Sequence, residues 1–358
     1  MGLFTRKIET AQIGTSPVGA AAGSSQVGNF LTYSIGATEL LALQVPTVSR
    51  AKDLLGSMIG ALEFKHYTKQ WTGEEYEEIY LPLEPWMEQP DPNVTRNFIL
   101  ANTFADLFMN GRAFWFVKAR NKATGLPSEF EWIPSAMITT PNQVGPQFFG
   151  KPDSILFNGL ELDPQNVICF LSPIIGLTWT GYRAINIALH LDQAVDRYAS
   201  LETVAGYLQQ RSGETLSGEE LTEIASVWAS ARKVNAIGAL NDYVEFVEFK
   251  NDPSVVLNTQ RQYEALELAR IANIPPYLVG VEVGGMTYQN AQQARQDLYL
   301  FGAKPFIDCI EQTLSMNNVL APNRFVELNI EDYIGSEDMS NVGQEMNTPT
   351  TREAVSND

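Results

Sequence analysis

Asn258-Thr259-Gln260-Arg261-Gln262-Tyr263-Glu264-Ala265-Leu266-Glu267-Leu268-Ala269-Arg270-Ile271-Ala272, continuing into Asn273-Ile274-Pro275-Pro276-Tyr277-Leu278-Val279-Gly280, is the stretch whose reading fixes everything around it. Tyr263, Leu266, Ala269 and the pair Ile271-Ala272 recur at three- and four-residue spacing, which predicts an amphipathic helix. Pro275-Pro276 stops that helix, because each ring removes a backbone donor and the residue before a proline is pushed out of the helical region. Val281-Glu282-Val283-Gly284-Gly285-Met286-Thr287-Tyr288-Gln289-Asn290 comes next. Its paired glycines make a flexible loop, and Thr287 or Asn290 can cap a second helical run that reaches about Met316.

Just upstream, Ala184, Ile187, Ala188, Leu191, Ala194, Val195, Tyr198, Leu201, Ala205 and Leu208 keep helical spacing, so a long helix is expected from Arg183 to about Leu208. Arg211-Ser212-Gly213-Glu214 breaks it, and Ser217-Gly218-Glu219-Glu220 sets up the cap of another helix carrying Leu221, Ile224, Ala225, Val227 and Trp228. Ala236 to Leu240 and the turn Asn241-Asp242 lead to Val244-Glu245-Phe246-Val247-Glu248-Phe249, whose alternation reads as a strand. A small mixed module is thus inserted between two helices.

Residues 1–36 are rich in Gly, Ser, Ala and Thr and have little apolar surface to offset the entropy of ordering, which predicts a disordered arm. A helix is expected from Thr38 or Leu40 to about Ile59, with Pro46 tolerated only in its first turn, then a strand over Ala61 to Tyr67. After the proline-punctuated turn Pro90-Asp91-Pro92-Asn93, Thr95 opens a helix with Phe98, Ile99, Phe104 and Phe108 on a broad apolar face. That helix ends at Asn110-Gly111, followed by strands at Ala113 to Ala119 and Phe130 to Pro134. Residues 136–175 read as short strands and turns, chiefly Ile155 to Phe157 and Val167 to Leu171. This order of helices and strands is an α+β chain.

The 358 residues, 44% of them hydrophobic, are enough for a sizeable core and for two or three domains. The longest apolar runs, such as Phe98 to Phe108, are interrupted by Asn102 and Asp106 and fall short of the roughly 20 residues that a bilayer requires. Arg6 and Lys7 are followed by no apolar core of a secretory signal, and two cysteines, Cys169 and Cys309, are too few for a disulfide framework, which points to a reducing cytoplasm. The net charge of −18 argues against a tight nucleic-acid binder, whose affinity comes from neutralising phosphates.

The wording of the central stretch is more specific than its periodicity. Ala269-Arg270-Ile271-Ala272, then Ile274-Pro275-Pro276-Tyr277-Leu278-Val279-Gly280, Thr287-Tyr288-Gln289-Asn290-Ala291-Gln292-Gln293-Ala294 and Lys304-Pro305-Phe306-Ile307 resembles the portal proteins of long-tailed bacteriophages. The resemblance extends to Val48-Ser49-Arg50-Ala51-Lys52, to Pro90-Asp91-Pro92-Asn93 with its helix and aromatic strand, and to Trp132-Ile133-Pro134. It is looser near Cys169-Phe170, where members of that family usually carry a histidine.

What the resemblance implies is a portal fold: a disordered arm (1–36), a wing (37–182), a first stem helix (183–208), a clip (209–256), a second stem helix (257–273), a tunnel-loop region (274–290), a long helix with a return strand to the wing (291–333) and a disordered tail (334–358), the crown being reduced or absent. It also implies a dodecameric ring at one capsid vertex, assembled in the host cytoplasm. Such a ring contacts the major capsid protein, docks the terminase and the head-completion or adaptor proteins, and passes double-stranded DNA; no cofactor, metal or membrane is involved. Residues Val281 to Asn290 would reach into the channel, and Arg261, Arg270, Arg295 and Lys304 are possible phosphate contacts, although ion pairing within or between subunits is the plainer role for each. Twelve copies at −18 carry on the order of −200 charges, a wall that repels a polyanion and so lets it slide. The same acidity can also serve solubility alone.

Catalytic patterns are missing. The sequence contains no Gly-x-x-x-x-Gly-Lys-Ser/Thr phosphate loop, no Gly-x-Ser-x-Gly, no His-Glu-x-x-His and no EF-hand loop. The two histidines, His66 and His190, lack neighbours at ligand spacing and read as structural or surface residues, while Glu74-Glu75, Glu77-Glu78 and Asp91 read as a solvated turn. Glu331-Asp332 and Glu337-Asp338 are weaker still as paired acids. Two other readings remain open at this level: a ring-shaped head–tail adaptor, and an enzyme working through convergent carboxylates.

Overall fold

The computed structural model describes residues 38–143, 150–200, 206–211, 217–234, 244–248, 253–281 and 291–334. The chain divides into two compact units, one built from residues 1–182 and 268–358, the other from residues 183–267.

In the first unit residues 38–42 are helical, and a turn at 43–45 interrupts the helix expected to run unbroken to Ile59. Helix α1 (Pro46–Ala61) follows with its proline in the first turn, where a missing N–H costs nothing. Strands β1 (Glu63–Trp71) and β2 (Tyr76–Tyr80) form an antiparallel hairpin. The expected strand is therefore longer than its alternation indicated, and Glu77 and Glu78 lie on β2 rather than in a turn. A short helix, α2 (Pro85–Glu88), precedes α3 (Arg96–Asn110), for which Thr95 Oγ1 accepts the Phe98 N–H at 3.3 Å. Gly111 ends α3 in the left-handed region at φ 77°, a conformation that a Cβ would strain.

From there β3 (Arg112–Arg120), β4 (Pro127–Ile133) and β8 (Val167–Leu171) build a three-stranded antiparallel sheet in the order β4-β3-β8. The short β5 (Ile138–Thr139), β6 (Ile155–Phe157) and β7 (Leu160–Leu162) make a second one. Trp115 is wholly buried at the centre, 5.4 Å from the Phe130 ring and 5.1 Å from that of Phe170, and its indole N–H donates to Thr103 Oγ1 at 2.7 Å. Helix α4 (Leu177–Thr180) closes this part of the chain.

The second unit begins on α5 (Tyr182–Ser200) and continues through β9 (Gly206–Gln210), α6 (Gly218–Val234), β10 (Val244–Glu248) and most of α7 (Pro253–Ile271). The helix expected to run to Leu208 does not include it: Leu208 lies in β9 and pairs with Phe246 across the β9–β10 ladder. Leu208 suits a helical period, yet a short apolar run also suits a strand, and the pairing partner more than 30 residues away decides. The cap at Ser217 forms as a reciprocal box: Glu220 Oε2 accepts the Ser217 N–H at 2.8 Å and Ser217 Oγ accepts the Glu220 N–H at 3.4 Å. Helix α7 is already helical at Pro253, about five residues before its expected beginning.

The chain then returns to the first unit through α8 (Ala291–Asp297), a π-helical turn (Leu298–Ala303), α9 (Lys304–Leu314), β11 (Phe325–Asn329) and α10 (Glu331–Ile334). Strand β11 adds to β1, giving the sheet order β11-β1-β2, and Lys65 Nζ meets Glu331 Oε2 at 2.8 Å across 266 residues of sequence. Phe306 of α9 fits edge-on against Phe104 of α3, ring centroids 5.2 Å apart, so the returning segment completes the core that the first 182 residues begin. Among the described residues no helix is long and apolar enough to cross a membrane.

Candidate functional site

The segment singled out by sequence lies where the chain leaves α7 and comes back on α8. Helix α7 ends in a Schellman motif centred on Asn273, which takes the left-handed conformation at φ 55°. The Ile274 N–H reaches the Ala269 carbonyl at 3.0 Å, the Asn273 N–H reaches that of Arg270 at 3.1 Å, and Ile274 and Ala269 are both buried. Pro275 and Pro276 therefore follow a helix that Asn273 has already closed. Asparagine tolerates the left-handed region, so the residue was a readable stop, overshadowed by the prolines after it.

A 3₁₀ turn over Pro276–Val279 leads to Gly280 at φ 81°, and the Val281 N–H closes it on the Pro276 carbonyl at 3.0 Å. The expected channel residues Glu282 to Asn290 lie outside the described residues. Only Val281, on the near side, and the limbs on either side of the loop are placed.

Those limbs are fastened by two side-chain bonds. The Asn273 amide donates to the Phe301 carbonyl, and Tyr277 Oη lies 3.3 Å from Asp297 Oδ2. Burial, and then Asp297, raise the Tyr277 pKa, so its hydroxyl stays protonated and donates. The partners step four residues forward on one limb and four back on the other, so the two limbs approach the loop in antiparallel register. The π-helical turn has a local cause. In an α-helix the Phe301 carbonyl would accept the N–H of residue 305, but Pro305 has none. The helix widens instead, the Lys304 N–H bonding back to Tyr299, and Asn273 supplies the donor that Phe301 lacks. Gly302 lets this widened turn lie against α1, since a Cβ there would stand 3.0 Å from Leu55 Cδ2.

Of the four possible phosphate contacts, Arg261 pairs with Asp192 at 2.9 Å, Lys304 with Asp308 at 3.2 Å, and the Arg295 guanidinium sits 5.9 Å from the Tyr333 ring centroid. Arg270 is exposed in the last turn of α7. All four remain at the surface.

Several buried ionisable groups have structural partners. Asp106 is buried, accepts from Trp132 Nε1 at 2.9 Å and from the Ser135 N–H at 3.1 Å, and burial holds its pKa well above the usual carboxylate range. Arg112, pushed down to about 10 by burial, donates to Thr140 Oγ1 at 2.6 Å. Burial likewise pushes the Cys169 thiol up to about 12 and that of Cys309 to about 11, which leaves neither reactive. His66 is buried with Nδ1 2.7 Å from the Pro82 carbonyl, and His190 is exposed. Among the described residues no three metal-ligating side chains converge.

The arrangement resembles known proteins along nearly its whole length. A probable portal protein of Streptomyces phage phiC31 is 24% identical over 326 residues, covering 81% of this chain and 68% of that one. In three dimensions the chain is similar to an HK97 family phage portal protein from Corynebacterium diphtheriae, with a TM-score of 0.64 at 22% identity, over 87% of this chain and 98% of that one. A chain from the neck of a native gene transfer agent particle computed with C12 symmetry matches with a TM-score of 0.60 at 14% identity, over 89% of each chain. These solved structures share the α+β architecture described above. The family model for the phage portal protein spans residues 46–348, which takes in both limbs of the loop together with the sheet that the return strand completes, and on that match the chain belongs to the phage portal protein family, a structural component of the phage particle.

Proposed function

We propose that twelve copies of this chain close into a ring at one vertex of the capsid, forming the channel through which double-stranded DNA enters and leaves. The outer face of the ring would dock the terminase during packaging, and the head-completion or adaptor proteins afterwards. The observation that carries this reading is the fastened base at Asn273–Phe301 and Tyr277–Asp297, which holds the two ends of a glycine-bearing loop in fixed register. A loop anchored in that way can touch a moving duplex while its helices keep their places in the wall. In this reading α5 and α7 supply the stem, residues between them the clip, and Val281 to Asn290 the tunnel loop. The net charge of −18 per chain keeps the wall from holding the phosphates. No bond is made or broken in this function.

Negative-stain imaging of the purified protein tests it. Annular particles of twelve-fold symmetry with a central hole are expected, and chains that stay solitary at high concentration would overturn the proposal. Solid particles, or rings that assemble only onto a preformed portal, would favour the adaptor reading instead.

A further inference from the structure

Strand β2 is an open sheet edge with an unusual surface. All five of its residues are exposed, and its outer edge carries no strand among the described residues. Trp71, Tyr76, Ile79 and Tyr80 are exposed in and beside it, and residues 71–95 contain seven acids and no lysine or arginine. Exposed edges invite pairing, and glutamates along one disfavour a second identical edge, since carboxylate would face carboxylate. A strand with two consecutive basic residues is another matter. Successive side chains of a strand point to opposite faces, and β2 presents Glu77 on one face and Glu78 on the other.

We infer that the free edge of β2 is covered by the chain's own N-terminal segment, Leu3-Phe4-Thr5-Arg6-Lys7-Ile8, added as a fourth, antiparallel strand. Antiparallel register with Arg6 opposite Glu78 and Lys7 opposite Glu77 sets Phe4 against Tyr80, Thr5 against Ile79 and Ile8 against Tyr76. Every pair is then of a kind that favours cross-strand contact: opposite charges, an aromatic pair, and β-branched or aromatic neighbours. The C-terminal segment does not fit, because residues 335–358 carry five acids against Arg352 alone. Reach is sufficient, as residues 9–37 can extend to about 95 Å. A tethered segment also needs little intrinsic affinity, since the tether supplies a high effective concentration.

The test is a disulfide trap in the full-length protein. Thr5→Cys with Ile79→Cys, oxidised with diamide at low protein concentration, should give an intrachain link identified by mass spectrometry of the joined peptides. Thr5→Cys with Leu160→Cys, a position 67% exposed on β7, sets the background. Adding Lys7→Glu should lower the specific yield about threefold, and adding Glu77→Lys to that variant should restore it. A yield no higher than background, a yield indifferent to both reversals, or a ladder of chains linked to one another in place of the intrachain product would overturn the assignment.

Discussion

Asn273 performs two tasks that no other residue type combines: it enters the left-handed region to close α7, and its amide fills the acceptor that Pro305 leaves open. Asn273→Ala loses both and is expected to destabilise the chain by roughly 2 kcal/mol. Asn273→Gly keeps the backbone conformation and should cost about half as much. Urea unfolding of the two variants beside the parent checks the order, and equal losses would count against the double role. Glu311, on α9, offers a second residue-level test. Burial, followed by the nearby Glu327 and Asp308, pushes its pKa up to about 7 despite the Leu328 N–H that it accepts at 2.7 Å. The folded carboxyl therefore holds its proton to about pH 7, whereas an unfolded one releases it near 4.5. Between those values the folded chain binds more protons, and stability falls as pH rises through that window. The loss amounts to at most roughly 3 kcal/mol above pH 7. Glu311→Gln should remove this dependence and melt higher than the parent at pH 8, with little difference at pH 4.5. Identical pH profiles in thermal melts would refute the assignment.

At the scale of elements, the π-helical turn between α8 and α9 follows from one missing donor. Pro305→Ala returns an N–H that can compete for the Phe301 carbonyl, so the Asn273 amide becomes dispensable. In a double-mutant cycle, Asn273→Ala should therefore cost less in the Pro305→Ala background, with a coupling of about 1 kcal/mol. Additive losses would mean that the widened turn has another origin. The same logic of paired needs explains why β9 exists. Residues 206–210 have no strong preference of their own, and Val244 to Glu248 provide the ladder that makes them a strand. Helices closed by local chemistry behave differently: Thr95 and Gly111 bracket α3 without help from elsewhere.

For the whole molecule, the proposed channel makes its own prediction. Deleting Glu282 to Met286 should leave rings intact, because the clasp at Asn273–Phe301 and Tyr277–Asp297 lies outside the deletion, while DNA packaging or retention fails. Unchanged packaging into heads that contain the deleted ring would count against a loop that meets DNA. The sequence alone determined the α+β class and the family resemblance, since both rest on local signals: apolar spacing at 3.6 or 2, the cap at Thr95, the glycine at 111, the box at Ser217–Glu220, and the wording around Ile274 to Gly280. Tertiary structure alone decided what depends on distant partners. It made residues 206–210 a strand, and it placed Glu77 and Glu78 on an open edge and joined β11 to β1. It also matched the amide of Asn273 to the carbonyl that Pro305 leaves without a donor. Each of those outcomes needs a second strand or a second side chain that periodicity cannot specify, because a backbone group's partner is chosen by packing across the fold and leaves no trace in the residues beside it.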